Sequence, residues 1–436
     1  MKIALIVDNP QRDLLGMVYL ARELTSKNND VFLVPSNLRF YELGKISPDY
    51  VLLPNLRWHN IKLANFLSSK NVKIGVLETE GAFVDNLNRF VNAYSKDIDY
   101  NKIVNNWFFW GNEFKNEFTS NLEINEDKYT VVGNPKFDVY KDSKVTKQNQ
   151  EILIATNFPY FNSNLNMFSE TFSRLKDGYY LNNKNLKDNY NYQKLLFNKT
   201  LELVNGMSNK YPDHNFTLRP HPFENLNKYK WIISENVKVD NSELSHVALS
   251  RSRLLIHFVS SLAFEASLMQ INNVVVKNLI KKETLNSNNA LLGIINFVES
   301  SDALVDGLNN LMNYEDNKDT TISKFIHFDQ KYSSSEIISK IINENTVTNI
   351  SNKDLGSLKF GIANNDRFSG TKYFIRNLFN LDLRLSLRFK NRVDIWKNSY
   401  KYFNLENVIK IQDNYSEQLL VSYFDDDSTS IRFSKN

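Results

Sequence analysis

The sequence has no cysteine among its 436 residues. This excludes disulfide cross-links, thiolate zinc sites and a thiol nucleophile. Long apolar runs are also missing, because the longest charge-free one, Leu254 to Phe264, is shorter than the roughly 20 residues that span a bilayer. The apolar run before Asp8 is too short for a signal peptide and resembles a buried strand. We therefore expect a cytoplasmic protein, or one that lies on the inner face of the cytoplasmic membrane.

Several motifs of common nucleotide and metal enzymes are absent. No Gly-x-Gly-x-x-Gly follows the first apolar run, which argues against a dinucleotide dehydrogenase. No Walker motif is present, and the six histidines show no His-x-x-x-His pair, so neither a P-loop nor a zinc centre is expected. The net charge of +4 is too small to indicate a nucleic-acid-binding protein by itself.

Short β-branched or apolar runs alternate with amphipathic stretches along most of the chain, which is typical of βα units and a parallel sheet. The pattern predicts twelve strands in two series: Lys2–Val7, Asp30–Val34, Tyr50–Leu53, Lys73–Leu77, Trp107–Trp110 and Tyr129–Val132, then Glu151–Ala155, Asn215–Arg219, Val237–Val239, Arg253–His257, Asn273–Val276 and Ile294–Val298. Amphipathic stretches between them predict helices, among them 13–26, 112–120, 192–210 and 301–314. The fold class is therefore α/β.

The two series predict two Rossmann-like domains, residues 1–140 and 150–345, joined by a polar, lysine-rich linker. We expect them to face a cleft, with the loops at the carboxyl ends of their strands lining it. Residues 350–436 form a basic, aromatic extension that we expect to be helical. Its stretch 367–402 suits the headgroup layer of an anionic membrane. An appendage with an aromatic core and solvated charges explains the same composition.

The most informative segment is Arg219-Pro220-His221-Pro222, which directly follows a predicted strand. The two prolines restrict the backbone, so His221 should lie on a rigid turn at the carboxyl end of the strand, where α/β folds bind ligands. An imidazole beside the Arg219 guanidinium suits a phosphate or a carboxylate. A buried histidine that merely caps the turn is the structural alternative.

Two other segments end predicted strands with polar residues. Ser260 and Ser261 precede a helix that carries Glu265, so hydroxyls and helix N–H groups could bind an anion while Glu265 reaches a ribose or a base. Glu78 and Glu80 end a strand of the first domain, where a carboxylate could act as general base on an acceptor hydroxyl. Simple helix capping and an ordinary acidic loop are the respective alternatives.

Taken in order, Glu-Thr-Glu-Gly, Arg-Pro-His-Pro and Ser-Ser-x-x-x-Glu resemble GT-B glycosyltransferases of bacterial surface-polysaccharide synthesis, such as that of capsule or lipopolysaccharide. The resemblance is to CMP-dependent sialic, pseudaminic or legionaminic acid and Kdo transferases, and to surface carbohydrate biosynthesis proteins, which look similar around residues 77–81 and 154–158. It implies an acceptor domain, residues 1–140, and a donor domain, residues 150–345. It also implies transfer of a 3-deoxy acidic sugar from CMP to a surface glycan. No metal or other cofactor is expected, because Arg219, His221 and helix N-termini can neutralise the departing phosphate.

The resemblance implies roles for individual residues. Glu80 matches the catalytic acid, although Glu78 remains open as the base because the family has two adjacent acids where this chain has Glu-Thr-Glu. His221 would contact the donor phosphate, and Ser260 and Ser261 the phosphate or the cytidine. The implied donor-nucleotide site is completed by three further residues: Asn157, Arg219 and Glu265.

Three other functions are compatible with the sequence. CDP-glycerol glycerophosphotransferases also have a His-Pro and a Ser-Ser motif, so a polyol-phosphate transferase is the first alternative. A nucleotide-sugar 2-epimerase built from two Rossmann-like halves is the second. The third is a non-catalytic glycan-binding protein, which predicts acceptor binding without donor binding. A nucleic-acid partner is not expected.

Overall fold

The computed structural model describes residues 1–79, 91, 93–140, 151–159, 161–162, 183–222, 224–232, 234–285, 290–313, 319–329, 331–344, 355, 402–413, 419–425 and 428–435. The chain forms two compact units. The first is built mainly from Met1 to Asp138 together with the chain after Ile326, and the second mainly from Val139 to Phe325. Each unit has its own sheet.

The first unit is built on six parallel strands in the order β2-β1-β3-β4-β5-β6. The strands are β1 (Lys2–Val7), β2 (Asp30–Pro35), β3 (Tyr50–Leu53), β4 (Lys73–Leu77), β5 (Asn106–Phe109) and β6 (Tyr129–Val131). The helices here are α1 (Leu15–Ser26), α2 (Arg39–Ile46), α3 (Trp58–Ser69), α4 (Tyr100–Ile103) and α5 (Asn112–Leu122). The central strands are buried almost throughout, as expected for a parallel sheet that is covered on both faces.

The second unit repeats this architecture with six parallel strands in the order β12-β11-β10-β7-β8-β9. The strands are β7 (Glu151–Ala155), β8 (Asn215–Arg219), β9 (Val237–Val239), β10 (Ser252–His257), β11 (Asn272–Val276) and β12 (Asn296–Val298). The helices are α6 (Asn183–Lys210), α7 (Ser245–Ser250), α8 (Leu262–Leu268), α9 (Lys282–Leu285), α10 (Ser301–Asn313) and α11 (Asp319–Phe325). Apolar runs such as Leu254–Ile256 are fully buried and fix the centre of this sheet.

After Ile326 the chain returns to the first unit. Its elements are α12 (Ser334–Glu344), α13 (Leu405–Gln412), β13 (Leu420–Tyr423) and β14 (Ile431–Ser434). Helix α12 packs on α1, and Asn29 Nδ2 donates to Asn343 Oδ1 at 3.0 Å. The returning chain packs closely against Gly133. A Cβ at this position would lie 2.3 Å from the His327 carbonyl oxygen, so a larger residue would not fit.

The domain boundaries of the structure therefore differ from those that composition suggested. Residues 326–344 belong to the first unit and not to the second. The end of the chain adds strands to the first sheet: β14 pairs antiparallel with β2, and β13 pairs antiparallel with β14. The buried Glu42 accepts hydrogen bonds from Ser428, Thr429 and Ser430, which tie this hairpin to α2. The basic, aromatic stretch 367–401 lies outside the described residues.

Candidate functional site

Three predicted ligand loops leave neighbouring strands of the second sheet at the same level. Ala155 at the end of β7 pairs with His257 of β10 on one side and with Arg219 of β8 on the other. The residues that follow these three strand ends include Asn157, His221 and Ser260. The structure thus brings the loops of Asn157, His221 and Ser260 to one carboxyl edge, which is where open α/β sheets bind ligands.

Glu224 connects two of these loops and was not among the residues that the sequence singled out. Its buried carboxylate accepts five hydrogen bonds, and the donors are Thr156 Oγ1 at 2.8 Å, Phe158 N at 3.0 Å, Asn162 Nδ2 at 3.2 Å, His221 N at 3.0 Å and the Tyr229 hydroxyl. A buried carboxylate with this many donors is well compensated without a cation. The signal in the sequence is an acid three residues after the histidine of the Arg-Pro-His-Pro turn.

His221 lies partly buried on the turn after β8, between Pro220 and Pro222. Burial disfavours the charged imidazolium and lowers the pKa of His221 to about 4. The ring is therefore neutral at physiological pH, with one N–H donor and one acceptor nitrogen. Asn241 Nδ2 donates to the Pro220 carbonyl at 3.3 Å and holds the other side of the turn. The neutral imidazole can donate a hydrogen bond to an anion, but because its pKa is lowered it is a weaker base than an ordinary histidine.

The turn after β10 is shaped by His257, which is fully buried and whose pKa burial lowers to about 4. Its Nδ1 accepts a hydrogen bond from Ser260 N at 2.9 Å, so the proton of the neutral ring is on Nε2, which lies 3.4 Å from Asn273 Oδ1. Val259 has a φ of +53°, a left-handed conformation that is strained for a β-branched residue. Such strain persists where the surroundings enforce it, often at ligand sites.

The two serines of this turn differ in their surroundings. The Ser260 hydroxyl accepts a hydrogen bond from Leu262 N at 3.3 Å and begins the short helix α8. Ser261 is exposed, and its side chain makes no capping hydrogen bond to that helix. Asn157 is also exposed on the loop after β7, where its carbonyl accepts from Gln193 Nε2 at 3.3 Å. Ser261 and Asn157 therefore present polar side chains at this edge.

The side chains of Arg219 and Glu265 are held by hydrogen bonds within the second unit. Arg219 Nη2 donates to the carbonyl oxygen of Glu243 at 2.7 Å, and burial lowers the pKa of this guanidinium while nearby carboxylates, Glu265 first, oppose the shift. Glu265 Oε2 accepts from the hydroxyls of Tyr140 and Ser245, each at 2.6 Å. Both predicted site residues thus lie in a hydrogen-bonded network.

Glu78 follows β4 at the carboxyl edge of the first sheet and is 2 % exposed. Its carboxylate accepts from Arg57 Nη2 at 3.1 Å and from the Tyr94 hydroxyl. Burial and the charge of Glu78 together raise the pKa of Tyr94 well above its usual range. The other predicted acid of this segment, Glu80, lies outside the described residues.

A second charged cluster at the same edge was missed by the sequence analysis. Arg12 donates to Asp13 Oδ1 at 2.7 Å, to Asp8 Oδ2 at 3.3 Å and to Thr79 Oγ1 at 3.0 Å. Asp8 directly follows β1, and Asn9 caps the π-helical turn Pro10–Leu14 that carries Arg12. Arg12 and Arg57 therefore both bind carboxylates of their own unit.

The chain was compared with known proteins. No family model matches it, and no curated protein matches it by sequence. Among solved structures, a putative UDP-N-acetylglucosamine 2-epimerase from Listeria monocytogenes is similar, with a TM-score of 0.51 and 11 % identity over 80 % of this chain and 97 % of that one. The wall teichoic acid polymerase TagF is similar too, with a TM-score of 0.51 and 13 % identity over 79 % and 88 % of the two chains.

The fold is of the GT-B type. This confirms the predicted fold class of two Rossmann-like domains, and at such low identity the similarity shows the fold alone. In the part of this GT-B fold that the structure describes, no three His, Asp or Glu side chains are grouped as metal ligands would be. None of the described helices is long and apolar enough to cross a membrane.

Proposed function

We propose that the protein is a transferase that binds a nucleotide-activated sugar at the carboxyl edge of the second sheet. The observation that carries this proposal is the His221 turn, which Glu224 holds beside the loop of Asn157 while the strained Val259–Ser261 turn begins one strand further along. Rigid backbone, polar side chains and buried charge at this edge match the place where α/β folds bind nucleotides.

The residues of this edge suit a phosphate that leaves during the reaction. Neutral His221 donates an N–H to a phosphate oxygen, and the hydroxyl of exposed Ser261 supplies another donor. Arg219 adds a positive charge behind the turn. Such preorganised donors stabilise the charge that develops on the leaving group, as a metal ion does in other enzymes. We therefore propose a reaction that needs no metal.

The donor that fits best is a CMP-activated 3-deoxy acidic sugar of the nonulosonic acid or Kdo type. The motif resemblance supports this donor, and a CMP leaving group carries a single phosphate. Donors that are mostly uncharged, such as His221 and Ser261, suit this small charge better than that of a diphosphate. The proposed acceptor is a bacterial surface glycan bound by the first unit.

Glu80 is the proposed general base of the transfer. It removes the proton from the acceptor hydroxyl, whose oxygen attacks the anomeric carbon while the bond to the CMP oxygen breaks. Glu78 is less suited to this step, since its two carboxylate oxygens accept from Arg57 and Tyr94 inside the unit. We assign Glu78 a supporting role at the carboxyl end of β4, where it binds Arg57 and Tyr94.

The test is to incubate the protein with acceptor oligosaccharides and one activated donor at a time, and to measure released nucleotide and product mass. The donors are CMP-activated acidic sugars, CDP-glycerol and UDP-N-acetylglucosamine. A product heavier by one acidic sugar supports the proposal. A glycerol-phosphate adduct would instead assign a polyol-phosphate transferase, and an epimerised donor without adduct would assign an epimerase. Acceptor binding without turnover of any donor would leave a glycan-binding protein.

A further inference from the structure

We propose that Glu224 is the positioning residue of the donor site, because its one carboxylate sets the backbone of two ligand loops at the same time. This inference rests on the proposed function for its consequence in catalysis. Its structural part, that Glu224 holds His221 in place, stands on the hydrogen bonds alone.

One oxygen of Glu224 contacts the backbone of both loops. Oε1 accepts from Phe158 N and from His221 N, both at 3.0 Å, so a single atom joins the main chains of the loops after β7 and β8. Thr156 Oγ1 donates to the same oxygen at 2.8 Å. Asn157 lies between Thr156 and Phe158, and its backbone is therefore fixed on both sides.

Oε2 of Glu224 accepts the two remaining hydrogen bonds. It accepts from Asn162 Nδ2 at 3.2 Å and from the Tyr229 hydroxyl, and burial beside this carboxylate raises the pKa of Tyr229. All five donors to Glu224 are uncharged N–H or O–H groups. The ionised carboxylate can accept from all of them, whereas a glutamine would turn an NH₂ group toward two or three donors. The charge of Glu224 is thus required for the geometry of both loops.

The consequence is testable at His221 itself. In the wild type, burial on the fixed turn lowers the pKa of His221 to about 4. When Glu224→Gln releases the turn, the imidazole becomes hydrated and its pKa rises toward the usual 6.5. His257, buried with a pKa lowered to about 4 in the neighbouring turn, is the internal reference because it makes no hydrogen bond to Glu224.

The experiment is an NMR titration of the histidine rings in the full-length wild type, Glu224→Gln and Glu42→Gln, with His221 assigned by the signal lost in His221→Gln. Glu42 is the matched control, since it is also a buried carboxylate held by hydroxyl and N–H donors, but in the first unit. We expect the pKa of His221 to rise by one to two units in Glu224→Gln alone, while His257 stays near 4. Binding of CMP should weaken about tenfold or more in the same variant.

An unchanged pKa of His221 in folded Glu224→Gln would overturn the proposal, and so would an equal rise in Glu42→Gln. A parallel rise at His257 would also overturn it, because it would show general loosening of the unit. If Glu224→Gln does not fold, Thr156→Val removes one donor to Oε1 and should raise the pKa of His221 by a smaller amount; no rise would overturn the proposal. If the wild type binds no nucleotide, the proposed function fails, whereas the His221 titration still decides the role of Glu224.

Discussion

Each of the two units has a buried carboxylate at the carboxyl edge of its sheet, but the hydrogen-bond donors to the two carboxylates differ. In the first unit, Glu78 accepts from the charged Arg57 and from Tyr94. In the second unit, Glu224 accepts from five uncharged donors, two of them backbone N–H groups of the ligand loops. The first arrangement is an ion pair that supports the sheet edge. The second makes the shape of two loops depend on one carboxylate.

This difference suggests that the two edges bind different substrates. Arg12 and Arg57 of the first edge are already bound to carboxylates, which fits the proposal that the phosphate of the donor binds the second unit and not the first. The second edge presents neutral donors such as His221 and Ser261, which suits a phosphate. Four predictions test the contrast, from the largest expected effect to the smallest.

The largest effect should come from Glu80→Gln, which removes the proposed base of the first unit. We expect transfer to slow by about 10²–10⁴-fold, since this is the usual contribution of general base catalysis. Nucleotide binding should change less than twofold, because the proposed donor residues belong to the second unit. Initial rates and calorimetric titration with CMP measure the two quantities. The exposed acid Glu113 provides the control variant Glu113→Gln, and wild-type turnover in Glu80→Gln would remove Glu80 from the mechanism.

The second prediction concerns the ion pair of the first edge. Arg57→Met should lower the free energy of unfolding by about 3 kcal/mol, because it leaves the charge of Glu78 buried beside Tyr94. The double variant Arg57→Met with Glu78→Gln should recover part of this loss, since the uncompensated charge is then gone. Urea denaturation of the wild type, Arg57→Met, Glu78→Gln and the double variant measures the effect. A double variant that loses the sum of the two single effects would show that no such coupling exists.

The third prediction uses the pH dependence of the second edge. The folded protein keeps His257 neutral down to about pH 4, whereas an unfolded chain protonates it near 6.5. The unfolded state therefore binds more protons between these values, and the stability present above pH 6.5 is lost as the pH falls to 4. The contribution of His257 is about 2–3 kcal/mol. It is measured as the difference in the pH dependence of unfolding between the wild type and His257→Gln, and equal slopes would contradict it.

The smallest effect is expected at the strained turn of the second edge. Val259→Gly should change the free energy of unfolding by less than about 1 kcal/mol, because relief of the left-handed strain offsets the lost side-chain contacts. Val275→Gly, at a fully buried position of β11, should cost about 3 kcal/mol or more. Thermal unfolding compares the two variants. Equal losses in both would mean that Val259 is not strained.

The parallel strands could be predicted because their apolar runs are continuous and bounded by polar turns. Each of the twelve predicted strands begins and ends within two residues of its observed bounds. The same alternation placed Asn157, His221 and Ser260 at strand ends, since a parallel sheet puts all carboxyl ends at one edge. What the sequence predicts best is therefore what local periodicity determines.

The features that could not be predicted from the sequence depend on contacts between residues that are far apart in the chain. Strand β13 is short and largely exposed, so it lacks the apolar signal of the central strands. Helix α2 contains Gly44, and the donors to its buried Glu42 come from residues 428–430, which lie far from it in the sequence. Glu224 is a polar residue in a loop by sequence, and its importance depends on five donors that folding brings together.

The most direct test of the central claim is thermal unfolding of wild type and His221→Ala in the presence of CMP, CDP, UDP, GDP and ADP. A ligand at 100 times its dissociation constant adds about 2.7 kcal/mol to the free energy of unfolding, which raises the melting temperature measurably. We predict a rise with CMP that is lost in His221→Ala. A rise with UDP or GDP instead would contradict the CMP-activated donor, and no rise with any nucleotide would contradict the donor site itself.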